Sequence, residues 1–371
     1  MAKDTDLKIR KAALELFSTS WFETVSIAEV CRHAGVSNGV FYRYYSKKDN
    51  LVRVLLEEFL SRFKSELEDI QGNTKEEQLL DFITTLNNVG INHKQYVSVF
   101  REGQYRFPEY EERLRTIYIE VISTIFGREV REAEYLYIIS GIRFCSTRAL
   151  YDGLPREPEK IRDLILNGVF RDEKEGLIPD IPDSFFSYSE DSAEDSRSRL
   201  LSSGIKLIGD KGYHAIGVGD IARETGLAVG TFYTYFNKKE EFFSELIRLI
   251  GHRIRLFLSE QTLPYKSRFE KEVFGIYFFL SYMSRHTEYY AIIREAEFVS
   301  KPWVSEYYNS FEQGYMKNLS IEDEKDRRIT ANFLIGLSHY VGIEGLLNDR
   351  VSDSSALLKT ISQYLIKGVS L

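Results

Sequence analysis

This 371-residue sequence is short of several things, and each shortage closes off a class of protein. It has two cysteines, Cys31 and Cys145, both in helix-like surroundings. Two such residues make no disulfide framework and fit a reducing compartment, so a cytoplasmic protein is expected. Seven prolines leave the chain free to form long helices. The most apolar run, VFGIYFFLSYM from Val273, is well short of the roughly 20 residues that span a bilayer, so no membrane partner is expected. The start, MAKDTDLKIRKAALELF, is charged and unlike a signal peptide. Positive charge is not in excess either: 49 Lys and Arg face 56 Asp and Glu, for a net charge of −7. Any polyanion would have to meet a local basic patch. The six histidines lie far apart, without ligand spacing to a cysteine or carboxylate, so no metal site is expected. No strand pattern leads into a G-x-S-x-G elbow, and there is no phosphate loop. GVGDIA, from Gly217, imitates a dinucleotide fingerprint but follows no strand pattern. No catalytic residue and no cofactor are expected, and an enzyme is the remotest reading.

What the sequence does have, it has twice. GVSNGVFYRYYSKKDNL begins at Gly35, and GLAVGTFYTYFNKKEEF begins at Gly226, an offset of 191 residues. Between Arg32 and Lys48, eight of seventeen positions are identical at that offset. Fainter echoes follow at slowly growing offsets. YVSVFREGQYRF from Tyr96 answers YYAIIREAEFVS from Tyr289 at 193, SGIRFCSTRAL from Ser140 answers IGLSHYVGIEG from Ile335 at 195, and LNGVF from Leu166 answers IKGVS from Ile366 at 200. A drifting offset is what small loop insertions produce, and so long a period is a duplicated domain rather than a solenoid. Between the copies, residues 171–196 carry two prolines and nine acidic residues against two basic ones, which reads as a linker. Elsewhere the apolar spacing is three and four, as in LVRVLLEEFLSRFKSELEDI, and no alternating strand pattern appears. The expected fold class is all-α.

The repeated stretch has the pattern of a helix-turn-helix. Ser26, three residues before Glu29, forms a capping-box signature that starts a helix, and Gly35 is a natural left-handed terminator. Ser37 then stands where it can cap a second short helix, NGVFYRYY. In such motifs the second helix enters the DNA major groove with its leading residues towards base edges. Ser37 and Asn38 are short polar groups at that leading end, and Arg43 reaches a phosphate or a guanine edge. Lys47 and Lys48 precede the next helix, where they can hold the phosphate backbone. Residues 24–53 carry +3 within a chain at −7. The bland alternative, a three-helix module with a solvated basic edge, fits the periodicity equally well.

The stretches TVSIAEVCRHAGVSNGVFYRYYSKKDNLV and AIGVGDIARETGLAVGTFYTYFNKKEEFF resemble the DNA-binding domain of the TetR family of bacterial regulators. The glycine-serine turn, Gly39-x-Phe41-Tyr42, the aromatic Tyr45 and Lys48 followed by an acid all stand where that family has them. The match covers roughly fifty residues in each copy and is much weaker beyond. The resemblance implies phosphate contacts for Tyr42, Lys48, Tyr233 and Lys239, with Ser37, Asn38 and Arg43 nearest the bases. The second copy departs from the pattern: Ala228, Val229 and Thr234 replace Ser37, Asn38 and Arg43, and residues 215–244 carry −1. A weaker but retained DNA contact is expected there from Thr231, Tyr233, Thr234, Lys238 and Lys239.

These readings give helix-turn-helix domains at 1–55 and 197–246 and helical regulatory and dimerisation domains at 56–170 and 247–371. TetR-like proteins usually pair through their last two helices, setting two heads roughly 34 Å apart on a near-palindromic operator. A chain holding both halves is expected to form that pair with itself, an intramolecular pseudo-dimer, with a further homodimer left open. The small residues Gly141, Ser146, Gly336, Gly342 and Gly345 are expected to let the paired helices approach. The resemblance also implies an effector cavity in the middle helices, for an apolar or aromatic small molecule and one per chain rather than two. Its candidate residues are Tyr96, Phe100, Arg101, Tyr105, Tyr289, Arg294 and Phe298. The recurring Arg101–Glu102 and Arg294–Glu295 are read equally well as structural ion pairs. The expected function is a DNA-binding transcriptional regulator, most simply a ligand-released repressor. The rival is a helical protein-interaction module whose heads have lost DNA.

Overall fold

The computed structural model describes residues 2–172, 180–182, 184, 195–348, 350–351 and 353–371. Most of the acidic linker expected at 171–196 lies outside the described residues. Among the described residues there are eighteen α-helices and no strand. The first nine are α1 (Ala2–Phe17), α2 (Ile27–Ala34), α3 (Asn38–Tyr44), α4 (Lys48–Leu67), α5 (Lys75–Asn92), α6 (Lys94–Arg106), α7 (Pro108–Phe126), α8 (Glu132–Tyr151) and α9 (Pro158–Asn167). The second nine follow the same order: α10 (Ser196–Lys211), α11 (Val218–Glu224), α12 (Val229–Tyr235), α13 (Lys239–Thr262), α14 (Arg268–Met283), α15 (Thr287–Val299), α16 (Lys301–Asn318), α17 (Glu324–Gly342) and α18 (Ser354–Lys367). A single π turn, Ile343–Leu347, extends α17.

The chain divides into two compact units. One comprises residues 1–135, 145–162 and 371, and the other residues 136–144 and 163–370. In the first unit α1 buries Ile9, Ala13 and Phe17 and packs on α2, α4 and α6. The long α4 buries Leu51, Leu55, Leu56, Phe59 and Phe63 at three- and four-residue spacing, and each fully buried side chain of this kind stabilises by about 1.5–3 kcal/mol. Its apolar stripe continues into the body, where the Phe59 ring lies 4.7 Å from Phe100 and the Phe63 ring meets Tyr118 edge-on at 5.4 Å. Ser146, expected at a pairing face, instead donates to Asn87 Oδ1 at 2.7 Å in this unit.

In the second unit α10 to α13 rebuild the same head around Leu200, Ile221, Phe232, Phe236 and Phe242. This unit also holds the middle of α8 and residues 163–172. Tyr137 lies 5.4 Å from Phe333 and 5.6 Å from Tyr364, and its hydroxyl donates to the Leu164 carbonyl at 2.9 Å. A Cβ on Gly141 would fall 2.1 Å from the Phe333 ring, and one on Gly336 2.4 Å from Phe144. Only hydrogen fits at either point. Two equivalent turns then exchange hydrogen bonds: Val169 N–H donates to the Leu365 carbonyl and Val369 N–H to the Ile165 carbonyl, each at 2.8 Å. Gly168 and Gly368 make this possible with φ of 76° and 70° and with the opposing backbone closer than 3 Å to any added Cβ. Gly342 and Gly345, also expected on this face, do not reach it. A Cβ on Gly342 would strike the Tyr290 hydroxyl, and Gly345 faces Val351. At 100° per residue, Gly342, six positions beyond Gly336, turns to another side of the helix, and Gly345 lies in the π turn.

Candidate nucleic-acid interface

Each head forms its helix-turn-helix by local chemistry. In the first, the Ser26 hydroxyl accepts from Glu29 N–H at 3.1 Å and opens α2. Gly35, at φ 67°, closes it, and Val36 N–H returns to the Cys31 carbonyl at 2.9 Å. In the second, the other half of a capping box does the work: the Asp220 carboxylate accepts from Gly217 N–H at 2.8 Å. Gly226 has φ 68°, and Leu227 N–H returns to the Ala222 carbonyl at 3.0 Å. Cys31 is a buried free thiol and Ala222 is its buried counterpart. Both are small core residues under the turn.

The recognition helices are α3 and α12. Phe41 and Phe232 are fully buried and anchor them. The opposite face carries exposed Ser37, Asn38, Tyr42 and Arg43 in the first head. In the second it carries Val229, Tyr233 and Thr234, with Thr231 half-buried beside them. Tyr42 and Tyr233 match in exposure, 57% and 55%. Lys47 and Lys238 are exposed just before α4 and α13. One expectation needs correction: Ser37 occupies the N-cap position of α3, but its hydroxyl makes no capping bond. The change to Ala228 in the second head therefore costs no cap. The Thr234 hydroxyl folds back on the Thr231 carbonyl at 2.6 Å.

Lys48 and Lys239 are placed unlike the exposed lysines beside them. The Lys48 ammonium donates to the Phe22 carbonyl at 2.7 Å and the Val25 carbonyl at 2.9 Å, and sits 4.2 Å from the Phe22 ring centre. Lys239 donates to the Tyr213 carbonyl and sits 4.0 Å from that ring. Burial pulls both lysines below the ordinary lysine value. The glutamates of the duplicated arginine-glutamate pairs meet the same loops. The Glu102 carboxylate on α6 accepts from Phe22 N–H at 2.8 Å, and Glu295 on α15 accepts from Tyr213 N–H at 2.7 Å. These glutamates are struts from body helix to head loop. Their recurrence was visible in the sequence, but a backbone partner some eighty residues away leaves no pattern to read. Burial pushes the Glu102 carboxyl up to about 7, and raises Glu295 as well.

The body of the second unit contains a cavity of about 650 Å³ between α13, α14, α16 and α17. None of Tyr96, Phe100, Arg101, Tyr105, Tyr289, Arg294 or Phe298 lines it. Phe100 and Tyr289 are core residues, Tyr96 donates to Glu58 at 2.6 Å, and Arg101 lies over the Tyr151 ring. Tyr105, Arg294 and Phe298 are half-buried elsewhere on α6 and α15. The lining is also more charged than expected, with Arg255, Lys266, Arg268, Lys271 and Glu272 among its aromatics. Glycines at 275 and 314, against Phe82 and Val121 at the corresponding places of the first repeat, were the available sequence signal.

Two exposed recognition helices on glycine-closed turns are the architecture of a helix-turn-helix, DNA-binding protein. The family model for bacterial regulatory proteins of the tetR family matches twice, at residues 9–55 and 200–246, so the chain carries two tetR-family regulator units in tandem. It is 22% identical over 181 residues to the uncharacterized HTH-type transcriptional regulator YuxN of Bacillus subtilis (strain 168), covering 45% of this chain and 62% of that protein. It is 25% identical over 138 residues to the HTH-type transcriptional regulator UidR of Escherichia coli (strain K12), covering 36% and 68%. Among solved structures it is similar to the transcriptional regulator FadR from Bacillus subtilis, crystallised with stearoyl-CoA, at 21% identity and a TM-score of 0.39, over 46% of this chain and 98% of that one. Among the described residues no helix is long and apolar enough to cross a membrane.

Proposed function

We propose that the chain is a ligand-responsive repressor in the cytoplasm whose two halves act together as an intramolecular pseudo-dimer on one double-stranded DNA operator. The supporting observation is the reciprocal pair of hydrogen bonds, Val169 to Leu365 and Val369 to Ile165. Exchange of identical contacts between equivalent residues is the signature of an isologous, two-fold interface, and here both partners belong to one chain. The domain limits that go with this reading are heads at 1–55 and 197–246, bodies at 56–170 and 247–371, and a linker at 171–196. The first head supplies base contacts through Ser37, Asn38 and Arg43 and phosphate contacts through Tyr42 and Lys47. The second contributes phosphate contacts through Tyr233 and Lys238, with little base reading from Val229 and Thr234. Lys48 and Lys239 hold their heads together rather than grip DNA. A ligand in the second body acts by favouring a geometry poor for DNA, because equal affinity for two states shifts nothing.

The test is titration of the full chain with selected operator duplexes and random duplexes at several salt concentrations, with sedimentation of the complex. One chain per operator with salt-dependent affinity is expected. Two chains per operator, each pairing like half with like, would overturn the pseudo-dimer. A second reading, a protein-interaction role for the second head alone, is favoured by one observation: Val229 leads its recognition helix while 45% exposed. Retention of full DNA affinity after Tyr233→Ala and Lys238→Ala would select it.

A further inference from the structure

The second body and the first differ at the positions that surround the cavity. The two bodies align at an offset of 193, at which the N-caps Thr74 and Ser267 coincide. At that offset Gly275 corresponds to Phe82, Gly314 to Val121, Tyr315 to Ile122 and Glu272 to Leu79. Leu79, Phe82 and Ile122 are each fully buried in the first body, and the Phe82 ring meets Tyr118 edge-on. In the second body the space is left open: a Cβ on Gly275 or Gly314 would meet nothing within 4 Å. The hollow thus opens where Gly275 and Gly314 stand in place of Phe82 and Val121, while Glu272 and Tyr315 replace Leu79 and Ile122 with polar groups.

Its walls have a definite chemistry. Glu272 is held by the Arg268 guanidinium at 2.8 Å and by the Tyr315 hydroxyl at 2.8 Å, so the cavity's acid is already neutralised. Arg255 is half-buried against the Phe311 ring, 5.3 Å from its centre. Among the described residues it has no carboxylate at ion-pair distance, and Glu306, whose charge it feels, is paired with Arg248. Lys266 and Lys271 likewise line the cavity without an ion-pair partner among the described residues. A partly desolvated, unpaired guanidinium is costly unless an anion arrives, and its planar fork suits a carboxylate, sulfonate or phosphate. The rest of the wall mixes the aromatics Phe279, Tyr307 and Phe311 and the aliphatic Leu258 and Ile335 with polar side chains such as Ser259, Thr262 and Asn318.

The geometry points to one effector site per chain, in the second body alone, for an amphipathic organic anion whose charged group is held by Arg255 and whose apolar body fills the space beside Gly275 and Gly314. This deepens the ligand-responsive reading and rests on it. The same helix that presents Arg255 begins at Lys239, which holds the loop of the second head. At 1.5 Å per residue its 24 residues carry a shift over about 36 Å.

The test uses the full chain with 8-anilino-1-naphthalenesulfonate as a fluorescent probe, and 2-naphthoate and the uncharged 2-naphthalenemethanol as competitors. The expected result is one probe per chain, displaced by the acid and not by the alcohol, and bound about tenfold more weakly by Arg255→Ala. Gly275→Phe, which installs the residue of the other body into open space, should abolish binding with no loss of thermal stability, and Gly314→Val should weaken it. Binding unchanged in both glycine variants, a stoichiometry of none or two, or equal displacement by the alcohol would overturn the site. Operator affinity measured with the acid bound separates the two claims. A bound anion without effect on DNA leaves the site standing and sinks the ligand-responsive reading.

Discussion

The two heads share a backbone plan and differ in how they are made to do it. Both close α2 or α11 with a left-handed glycine, both bury one phenylalanine under the recognition helix, and both tie a loop to the body through a glutamate. Yet one starts its helix with a serine hydroxyl and the other with an aspartate carboxylate. One presents Ser37, Asn38 and Arg43 to solvent, the other Ala228, Val229 and Thr234. The scaffold has been held and the reading face released. Scaffold positions are fixed by packing and by backbone groups that must be satisfied, whereas an exposed face answers only to what it touches.

That contrast can be broken in order of size. The largest effect is expected from removing the struts. Glu295→Ala strips the acceptor from a buried Tyr213 N–H and should cost about 2 kcal/mol. Glu102→Ala should cost less, because its bond to Phe22 is only part-buried. Urea unfolding of the two variants measures this, and a cost confined to the first head would reverse the comparison. Next comes the reading face. Arg43→Ala should weaken operator binding on the order of tenfold, as for loss of one base contact. Thr234→Ala should change it little, since that hydroxyl already bonds within its own helix. Equal losses in fluorescence anisotropy would abolish the asymmetry.

The neighbouring lysines sharpen the division between grip and scaffold. Lys47→Ala should lower the salt slope of binding by about 1 and leave the melting temperature alone. Lys48→Ala should lower the melting temperature, because two loop carbonyls lose their donor, and leave the slope unchanged. A smaller effect follows from the buried Glu102. Its carboxyl keeps a proton up to about 7 in the fold, whereas an unfolded glutamate releases it near 4.5. The native state therefore binds more protons in that window, and stability contributed by this group falls as pH rises from 4.5 to 7. Glu102→Gln should flatten that part of a stability profile. The smallest difference lies at the caps: Ser26→Ala should cost about 1 kcal/mol, and Ser37→Ala almost nothing, its hydroxyl being free of any capping bond.

The duplication, the all-helical class and the two helix-turn-helix motifs were legible in the residues alone, because their causes are local. A glycine that must turn left, a cap three residues from its partner and an apolar spacing of three and four all act within one or two helical turns. So were the exposed candidates Asn38, Tyr42 and Arg43, which follow from helix phase once Phe41 is known to be buried. Tertiary structure decided the rest. Lys48 and Lys239 turned inwards to backbone carbonyls that no pattern marks, and Glu102 and Glu295 became struts to loops some eighty residues away. Of five small residues expected at one face, only Gly141 and Gly336 meet an aromatic of the opposing element there. The cavity lies beside Arg255, Gly275 and Tyr315 rather than the aromatics of α6 and α15. A void depends on which of several helices leave space at the same depth, and packing of that kind is set by the assembled fold and not by any one segment.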